Sequence, residues 1–563
     1  MAARQFGATG IILPLPQGEG ENYSRSASNH RASTLILLLL LLLYLTFLTN
    51  AAWWHFVNSD DAEGYLVMPL RILQTGSSGL DPFLFRRVEA GLGGNNYLYA
   101  LPLAIFDFPA AHSVDFGLGS LLIALLAGSH ANAIAPRNTG ILAASLTMAL
   151  AVVVFAPVIN LAPDLPAIAV VYATIRHARR LSRQPAIRLG NHILFGLLIF
   201  ALVCLRVSYL VPAIAVAASL YLAMLWTSRD PRVVLAALAA CLVVAVFAVP
   251  WMVALQRIAG TPLYPLLGFG TMSHSEVEGF TAPAILVKNV GRILFCYPLV
   301  ALGLWAVART PPETQSETFL CILAPLLLLL SVIAQTKYTI FGWRYGYVAV
   351  IPLPLFLFVE LLDAPAARRF YRTLLPACLA LFAIALVHNE SWHPDTVAFG
   401  QLFVGAAGRP FNPYAQTDAT AARGKLRATL QAMQHAVPPG RLLLVRLEDP
   451  FLLDFRRNPV WVMDHPGLCG PPPGVPQSAT VAAWTPYLRS AGVAYVAYDY
   501  ATEAGEPAQL DAAFMGANGT SHFQQRISAA AAEVQSVLQQ LRNSAPPSYD
   551  DGTRYVIPLA SPG

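Results

Sequence analysis

Residues 34–64 read TLILLLLLLLYLTFLTNAAWWHFVNSDDAEG. The first part, residues 34–54, is an almost unbroken apolar run of about 20 residues, enough for a helix to cross a bilayer. It is longer than the apolar core of about 7–15 residues found in cleaved signal peptides, so it is read as an uncleaved first span. The second part places Asp60 and Asp61 side by side, with Glu63 two positions on. Carboxylates at the mouth of a span are costly to desolvate and need a cation, a donor group or water. The reading of the whole chain follows from this junction of a membrane helix and an acidic pair.

Composition agrees. Of 563 residues, 56% are hydrophobic and 12% charged, with a mean hydropathy of +0.54. Soluble domains carry about 25% charged residues, which excludes a soluble enzyme, a disordered chain or a nucleic-acid binder. Lys and Arg number 36 against 31 Asp and Glu, a net charge of +5 that calls for no anionic partner. The six cysteines (Cys204, Cys241, Cys296, Cys321, Cys378, Cys469) show no metal-ligand spacing, and five lie in or beside apolar runs. They read as small packing residues.

The fold class expected is a polytopic α-helical membrane protein of about eleven spans with a C-terminal α/β domain. Candidate spans are 34–54, 116–135, 139–160, 163–178, 190–205, 208–227, 233–252, 283–308, 318–335, 344–362 and 373–388. Orientation follows from arginine. With residues 1–33 in the cytoplasm, the connections at 136–138, 176–188, 228–232, 309–318 and 363–372 face inward, and each carries Arg. The membrane part is then 34–389. The loop 55–115 is the first outward one, and residues 390–563 form a periplasmic or extracytoplasmic domain. The short loops suggest a bacterial inner membrane.

In that tail, residues 417–435 have helical spacing. Residues 438–446 (VPPGRLLLVR from 437) read as turn plus strand, and FRRNPVWVMD (455–464) as a second strand. WTPYLRSAGVAYVAYDY (484–500) reads as helix, turn and strand, and 526–543 as a further helix. Strands alternating with helices imply a small α/β layer. It contains no GxGxxG, P-loop or GxSxG, so it reads as a covering or docking unit without chemistry of its own.

Candidate site residues gather on the outward side. Ser59 and Asp60 also suit a helix start with Glu63 near its third position, so capping and chemistry both fit. Arg71 lies ten residues beyond Asp61 on an amphipathic stretch and is a candidate ion partner for it. Asn95 and Asn96, in GGNNY (93–97), suit either sugar hydroxyls or a turn. Arg206 stands at a span end, where it either snorkels or contacts an anion. His274 and Glu276 read as part of a polar loop.

Alternating spans, an Asp-Asp pair directly after span one and an α/β tail together resemble the GT-C superfamily of integral-membrane glycosyltransferases. Protein O-mannosyltransferases and aminoarabinose transferases are examples. The resemblance covers about 34–390 in organisation and is short at motif level. It implies a modified DxD motif in its DDx form, here Asp60-Asp61-Ala62, and a second acidic residue in the next outward loop, a place held by Asp164 in FAPVINLAPDLP (155–166). TPLYPL (261–266) resembles the Pro-aromatic-Pro segment of several such families and brings in Tyr264. Arg344 and Tyr345, in FGWRYGYVAVIP (341–352), stand where these families place a basic residue for a lipid phosphate. Arginine suits that task because its planar fork holds phosphate bidentately. No WWDYG-type motif of an oligosaccharyltransferase is present, so sugar, lipid carrier and acceptor stay open.

The resemblance implies catalytic roles for Asp60, Asp61 and Asp164, with Asp60 as first choice of base and Asp61 as second. Substrate-binding roles fall to Arg344, Tyr345, Arg206, Arg71, Glu63, Asn95, Asn96 and Tyr264. The partners implied are a polyprenyl-phosphate sugar donor, membrane lipids and an extracytoplasmic acceptor. Use of a metal is open. The candidate ligands are Asp60 and Asp61, and oxygen donors point to Mg²⁺ or Mn²⁺ rather than zinc. The alternative class, a transporter, flippase or polysaccharide-export component, predicts ionisable residues in mid-membrane.

Overall fold

The computed structural model describes residues 64–79, 93–106, 113–134, 163–184, 186–206, 209–259, 315–338, 413–463, 480–500 and 522–559. Single positions such as Ala62, Asp81, Phe83, Leu84, Ala111 and Leu161 are also described. All belong to one of two compact units, which begins at Thr46. The spans expected at 34–54, 139–160, 283–308 and 373–388 lie outside the described residues, as does nearly all of 344–362.

The described residues of the 55–115 segment include two helices. Helix α1 (Val67–Thr75) ends on Gly76 in the left-handed region (φ 79), whose amide bonds back to the Ile72 carbonyl at 2.8 Å. Helix α2 (Gly94–Ile105) opens after Gly93, also left-handed at φ 73. The sequence reading leaves 94–105 as polar loop. The GGN signal marks a helix start, because only glycine enters that turn without strain.

A π-helical turn, Ser113–Gly119, leads into α3 (Ser120–Ile134). Helix α4 (Asp164–Arg183) runs five residues beyond the expected span. Then come α5 (Leu189–Leu205), α6 (Leu210–Ser228), α7 (Arg232–Ala259) and α8 (Gln315–Tyr338). Helix α8 packs along α6, α7 along α5, and α4 touches α3, α5, α6 and α8. Gly196 lets α5 and α7 approach closely: a Cβ there would stand 2.7 Å from the Ala240 carbonyl oxygen. Among the described residues, three helical stretches are long and apolar enough to cross a membrane: Ser113–Ala131, Leu210–Ser228 and Arg232–Arg257. Helix α7 leaves Leu235, Leu238, Leu242, Val246 and Val249 exposed. Such a stripe is stable against hydrocarbon and costly against water.

The helix ends sort by charge. One end holds the α4 carboxyl terminus with the α8 amino terminus. There Glu317, wholly buried, accepts from Arg179 Nε at 2.5 Å and Arg183 Nη2 at 2.7 Å. This is the arginine-rich end. The α4 amino terminus, with Asp164, lies at the other.

The tail contains α9 (Pro413–His435), α10 (Val481–Ser490) and α11 (His522–Ser544). Its five strands are β1 (Leu443–Arg446), β2 (Val460–Val462), β3 (Tyr495–Asp499), β4 (Tyr549–Asp550) and β5 (Arg554–Pro558), in the order β2-β1-β3-β5-β4. Strand β1 pairs parallel with β2 and β3, and β5 pairs antiparallel with β3 and β4. The closing hairpin is absent from the sequence reading. Its signal is DDGT (550–553), in which Gly552 takes φ 76 and Asp551 accepts from the Thr553 and Arg554 amides. Ala62, Leu66, Val67, Met68 and Tyr99 share one apolar cluster with Leu430, Met433, Phe451 and Val460. The first loop and the tail therefore fold around a common core.

Candidate active site at the amino terminus of α4

Pro163 precedes α4 and Pro166 sits in its first turn, so the sequence PDLP starts a helix where no amide donor is lost. Asp164 opens that helix, its charge favoured by the helix dipole. It is 8% exposed. The Tyr209 hydroxyl donates a short hydrogen bond to Asp164 Oδ1.

Tyr209 is fully buried just before α6, and its amide bonds to the Arg206 carbonyl at 3.0 Å. Arg206, in extended backbone, ends α5. The Tyr209 phenol lies within electrostatic reach of both Arg206 and Tyr65. Arg206 at the end of α5 and Tyr209 just before α6 thus stand close together, and Tyr209 turns its phenol to the Asp164 carboxylate.

A second carboxylate is present that the sequence reading does not single out. Asp115, buried in the π-helical turn, accepts the Leu165 amide of the first α4 turn at 2.9 Å. Gly119 in the same turn lies against that helix start. A Cβ there would stand 2.7 Å from Leu165 Cβ, Pro166 Cδ and Pro166 N. The available signal is a lone Asp one residue before an apolar run, which resembles any solvated span end.

Asn95 and Asn96 are buried in the first turn of α2. A Cβ on Gly94 would meet Cys204 Sγ at 2.3 Å and its carbonyl oxygen at 2.9 Å, and a Cβ on Gly93 would meet the Trp251 ring at 2.7 Å. The amino terminus of α2 is therefore seated on the carboxyl end of α5, two residues before Arg206. Asn95 Oδ1 and Trp251 Nε1 are buried without a hydrogen-bond partner among the described residues. The amino terminus of α2, which carries Asn95 and Asn96, thus lies at the same end of the helices as Arg206 and Asp164.

Arg71 has a different place. It is 5% exposed and pairs with Asp81 at 3.1 Å. Its Nη2 also donates to the Val460 carbonyl at 2.7 Å, and Nη1 to the Ser78 carbonyl at 3.2 Å. The guanidinium stacks over Phe455 at 5.1 Å. Burial lifts the Asp81 carboxyl above its ordinary value, while Arg71 and the amides of Val462 and Phe83 pull it down. Where the sequence offers Asp61 as the partner of Arg71, the structure supplies Asp81.

Asp60, Asp61, Glu63, Tyr264, Arg344 and Tyr345 lie outside the described residues, as do His274 and Glu276. No group of three or more His, Cys, Asp or Glu able to hold a metal occurs among the described residues. Cys204, Cys241 and Cys321 are not in disulfides.

The sequence matches no protein-family profile and no curated protein. Similar solved structures include ArnT from Cupriavidus metallidurans in the apo state, at 15% identity and a TM-score of 0.49, covering 94% of this chain and 100% of that one. The same ArnT bound to undecaprenyl phosphate gives 13% identity and a TM-score of 0.47, over 94% and 99%. The archaeal oligosaccharyltransferase AglB from Archaeoglobus fulgidus, in complex with an inhibitory peptide and a dolichol-phosphate, gives 12% and 0.44, over 86% and 71%. Both are GT-C glycosyltransferases. At these identities and TM-scores the likenesses assign no residue role and no substrate.

Proposed function

We propose that this chain is an integral-membrane glycosyltransferase. It moves a sugar from a polyprenyl-phosphate carrier to an acceptor (lipid, glycan or protein) outside the cytoplasm. The observation that carries this reading is the buried Asp164–Tyr209 pair, flanked by Arg206 and Tyr65 at the end of the helices opposite the arginine-rich end. Tyr65 lies four residues after Asp61 in the acidic stretch that resembles the GT-C motif. Ala62, directly after that acidic pair, is 1% exposed.

In the reaction, one carboxylate, Asp60 or Asp61, takes the proton of the acceptor O–H or N–H. The acceptor atom bonds to the anomeric carbon while the carbon–oxygen bond to phosphate breaks. The electron pair leaves with the polyprenyl phosphate, and a single displacement inverts the anomeric centre. Asp164, held by Tyr209, fixes the acceptor or offsets part of the positive charge that develops on the sugar. Arg344 and Arg206 hold the departing phosphate. A divalent cation would be held by Asp60 and Asp61, whose hard oxygen donors suit Mg²⁺ or Mn²⁺, and would supply further neutralisation of the phosphate. With the arginine-rich end in the cytoplasm, the site opens outward and the tail is extracytoplasmic.

A transporter reading calls for ionisable groups in mid-membrane. Among the described residues, Asp164 and Arg206 lie at one set of helix ends, and Arg179, Arg183 and Glu317 at the other.

Two variants test the assignment, assayed with a polyprenyl-phosphate sugar in detergent or nanodiscs. Arg344→Ala should raise the KM for the lipid donor roughly tenfold or more, the loss of one charge-assisted hydrogen bond; an unchanged KM removes Arg344 from the phosphate. Tyr209→Phe should lower kcat about tenfold, since the buried Asp164 carboxylate then loses a donor. A Tyr209→Phe enzyme as fast as the parent removes the pair from the reaction.

A further inference from the structure

Strand β2 is the edge of the sheet. The Pro459 carbonyl and the Met463 amide turn inward and bond to Leu443 and Val445 of β1. By the alternation of a strand, the Val460 carbonyl and the Val462 amide turn outward, where a sixth strand would pair. No strand is there. The Val460 carbonyl accepts from Arg71 Nη2 at 2.7 Å, and the Val462 amide donates to Asp81 Oδ2 at 2.9 Å. The two side chains join each other at 3.1 Å, and Asp81 is 0% exposed. One ion pair thus supplies the donor and the acceptor that a neighbouring strand would have supplied. A second anchor lies one turn further along α1. Gln74 Oε1 accepts the Phe455 amide at 2.8 Å, and Arg456 Nε donates to the Gln74 carbonyl at 2.5 Å. Phe83, two residues from Asp81, packs on Trp461 of β2 with ring centroids 5.8 Å apart.

Apart from the Arg456 side chain, the tail groups that these bonds engage are backbone groups of β2 or of the segment leading into it. Helix α1, on which Arg71 and Gln74 stand, continues the buried segment that begins at Ala62. We propose that the Arg71–Asp81 pair is a strand surrogate that makes the C-terminal α/β unit a positioning element of the first loop. The tail then acts as part of the wall against which the acidic segment is set, rather than as a free lid. Arg71 and Asp81 are positioning residues in this scheme. A surface ion pair would contribute little. A buried one that also bonds backbone groups of another element ties the two elements together, because separating them takes one hydrogen bond from each member of the pair and leaves two backbone groups unpaired.

The linkage stands on the described contacts alone; its consequence for transfer rests on the proposed function. The test uses the full-length chain in nanodiscs, with Asp81→Asn, which keeps an oxygen acceptor, and Gln74→Ala, which removes the Phe455 bond of the second anchor and keeps the first anchor whole. Amide exchange should rise in residues 64–75 and in 453–463 together, by roughly tenfold in Asp81→Asn and less in Gln74→Ala, with α5 to α7 unchanged. The kcat of Asp81→Asn should fall by roughly tenfold, and the donor KM should stay within about twofold. A rise confined to 453–463, with 64–75 as protected as in the parent, would overturn the proposal, because the two segments would then open independently. A linked rise with kcat unaltered would also overturn it, leaving a weld with no effect on position. Should the parent transfer no sugar at all, the proposed function falls, while linked or unlinked exchange in the two segments still decides the positioning role.

Discussion

Asp60→Asn and Asp61→Asn should reach the membrane in normal amount, and the variant at the true base should transfer sugar two to four orders of magnitude more slowly, the usual range for a lost general base. Asparagine keeps the size and one acceptor oxygen but cannot take a proton. The segment just after the pair is packed: Ala62, Leu66 and Val67 are buried in the core shared with the tail. A loss of folding would therefore show as lower thermal stability, and a loss of chemistry as a lower kcat at the same stability. Asp164→Asn separates the roles further. Its amide oxygen can still accept from Tyr209, so the α4 terminus holds its shape while the negative charge is gone. If Asp164 carries charge, this variant should lose kcat by an amount between those of the other two. Full activity in both Asp60→Asn and Asp61→Asn removes the acidic pair from catalysis and, with it, the main residue-level ground for the GT-C resemblance.

The parts of the fold that follow from a single periodicity are legible in the sequence. The helices expected at 190–205, 208–227, 233–252 and 318–335 appear within a few residues, because apolar runs of that length admit few other structures. Helix α4 is harder to read. Its second half, RHARRLSR, looks like a solvated connection, yet it continues as helix because Glu317 of a distant helix neutralises Arg179 and Arg183. The tail strands at 443–446, 460–462 and 495–499 are legible from apolar runs after turns. The β4–β5 hairpin is short and half polar, and only DDGT marks it. In the site, Asp164 enters the sequence reading only through the resemblance, as the acidic residue of the next outward loop. Asp115 and Tyr209 are not legible, since their roles depend on which distant backbone or carboxyl group the fold brings to them. Arg71 shows the same limit. An amphipathic helix predicts that it is paired, but its partner, Asp81, lies across a turn and touches a strand nearly 400 residues away.

The start of α4 should be the least forgiving place in the described structure. Gly119→Ala adds one methyl group 2.7 Å from Leu165 Cβ, Pro166 Cδ and Pro166 N. None of these is the tip of a flexible side chain, so either the π-helical turn or the helix start must move. Overpacking of this kind costs about 1–3 kcal/mol in stability. The larger effect falls on activity. A shift of about 1 Å at a reacting group costs on the order of 100-fold, and Asp164 is the residue immediately before Leu165. Asp115→Ala should act on the same spot from the other side, leaving the Leu165 amide without its acceptor at a cost of about 1–3 kcal/mol. Asp115→Asn restores an acceptor oxygen and should recover most of the lost kcat, which a role for Asp115 as a charge would not allow. Thermal unfolding and transfer rate measured on all three variants check the chain of cause: Gly119→Ala and Asp115→Ala slow and destabilised, Asp115→Asn near the parent. If Gly119→Ala is destabilised yet transfers at the parental rate, the position of Asp164 does not limit the reaction, and the site has to be sought away from the α4 terminus.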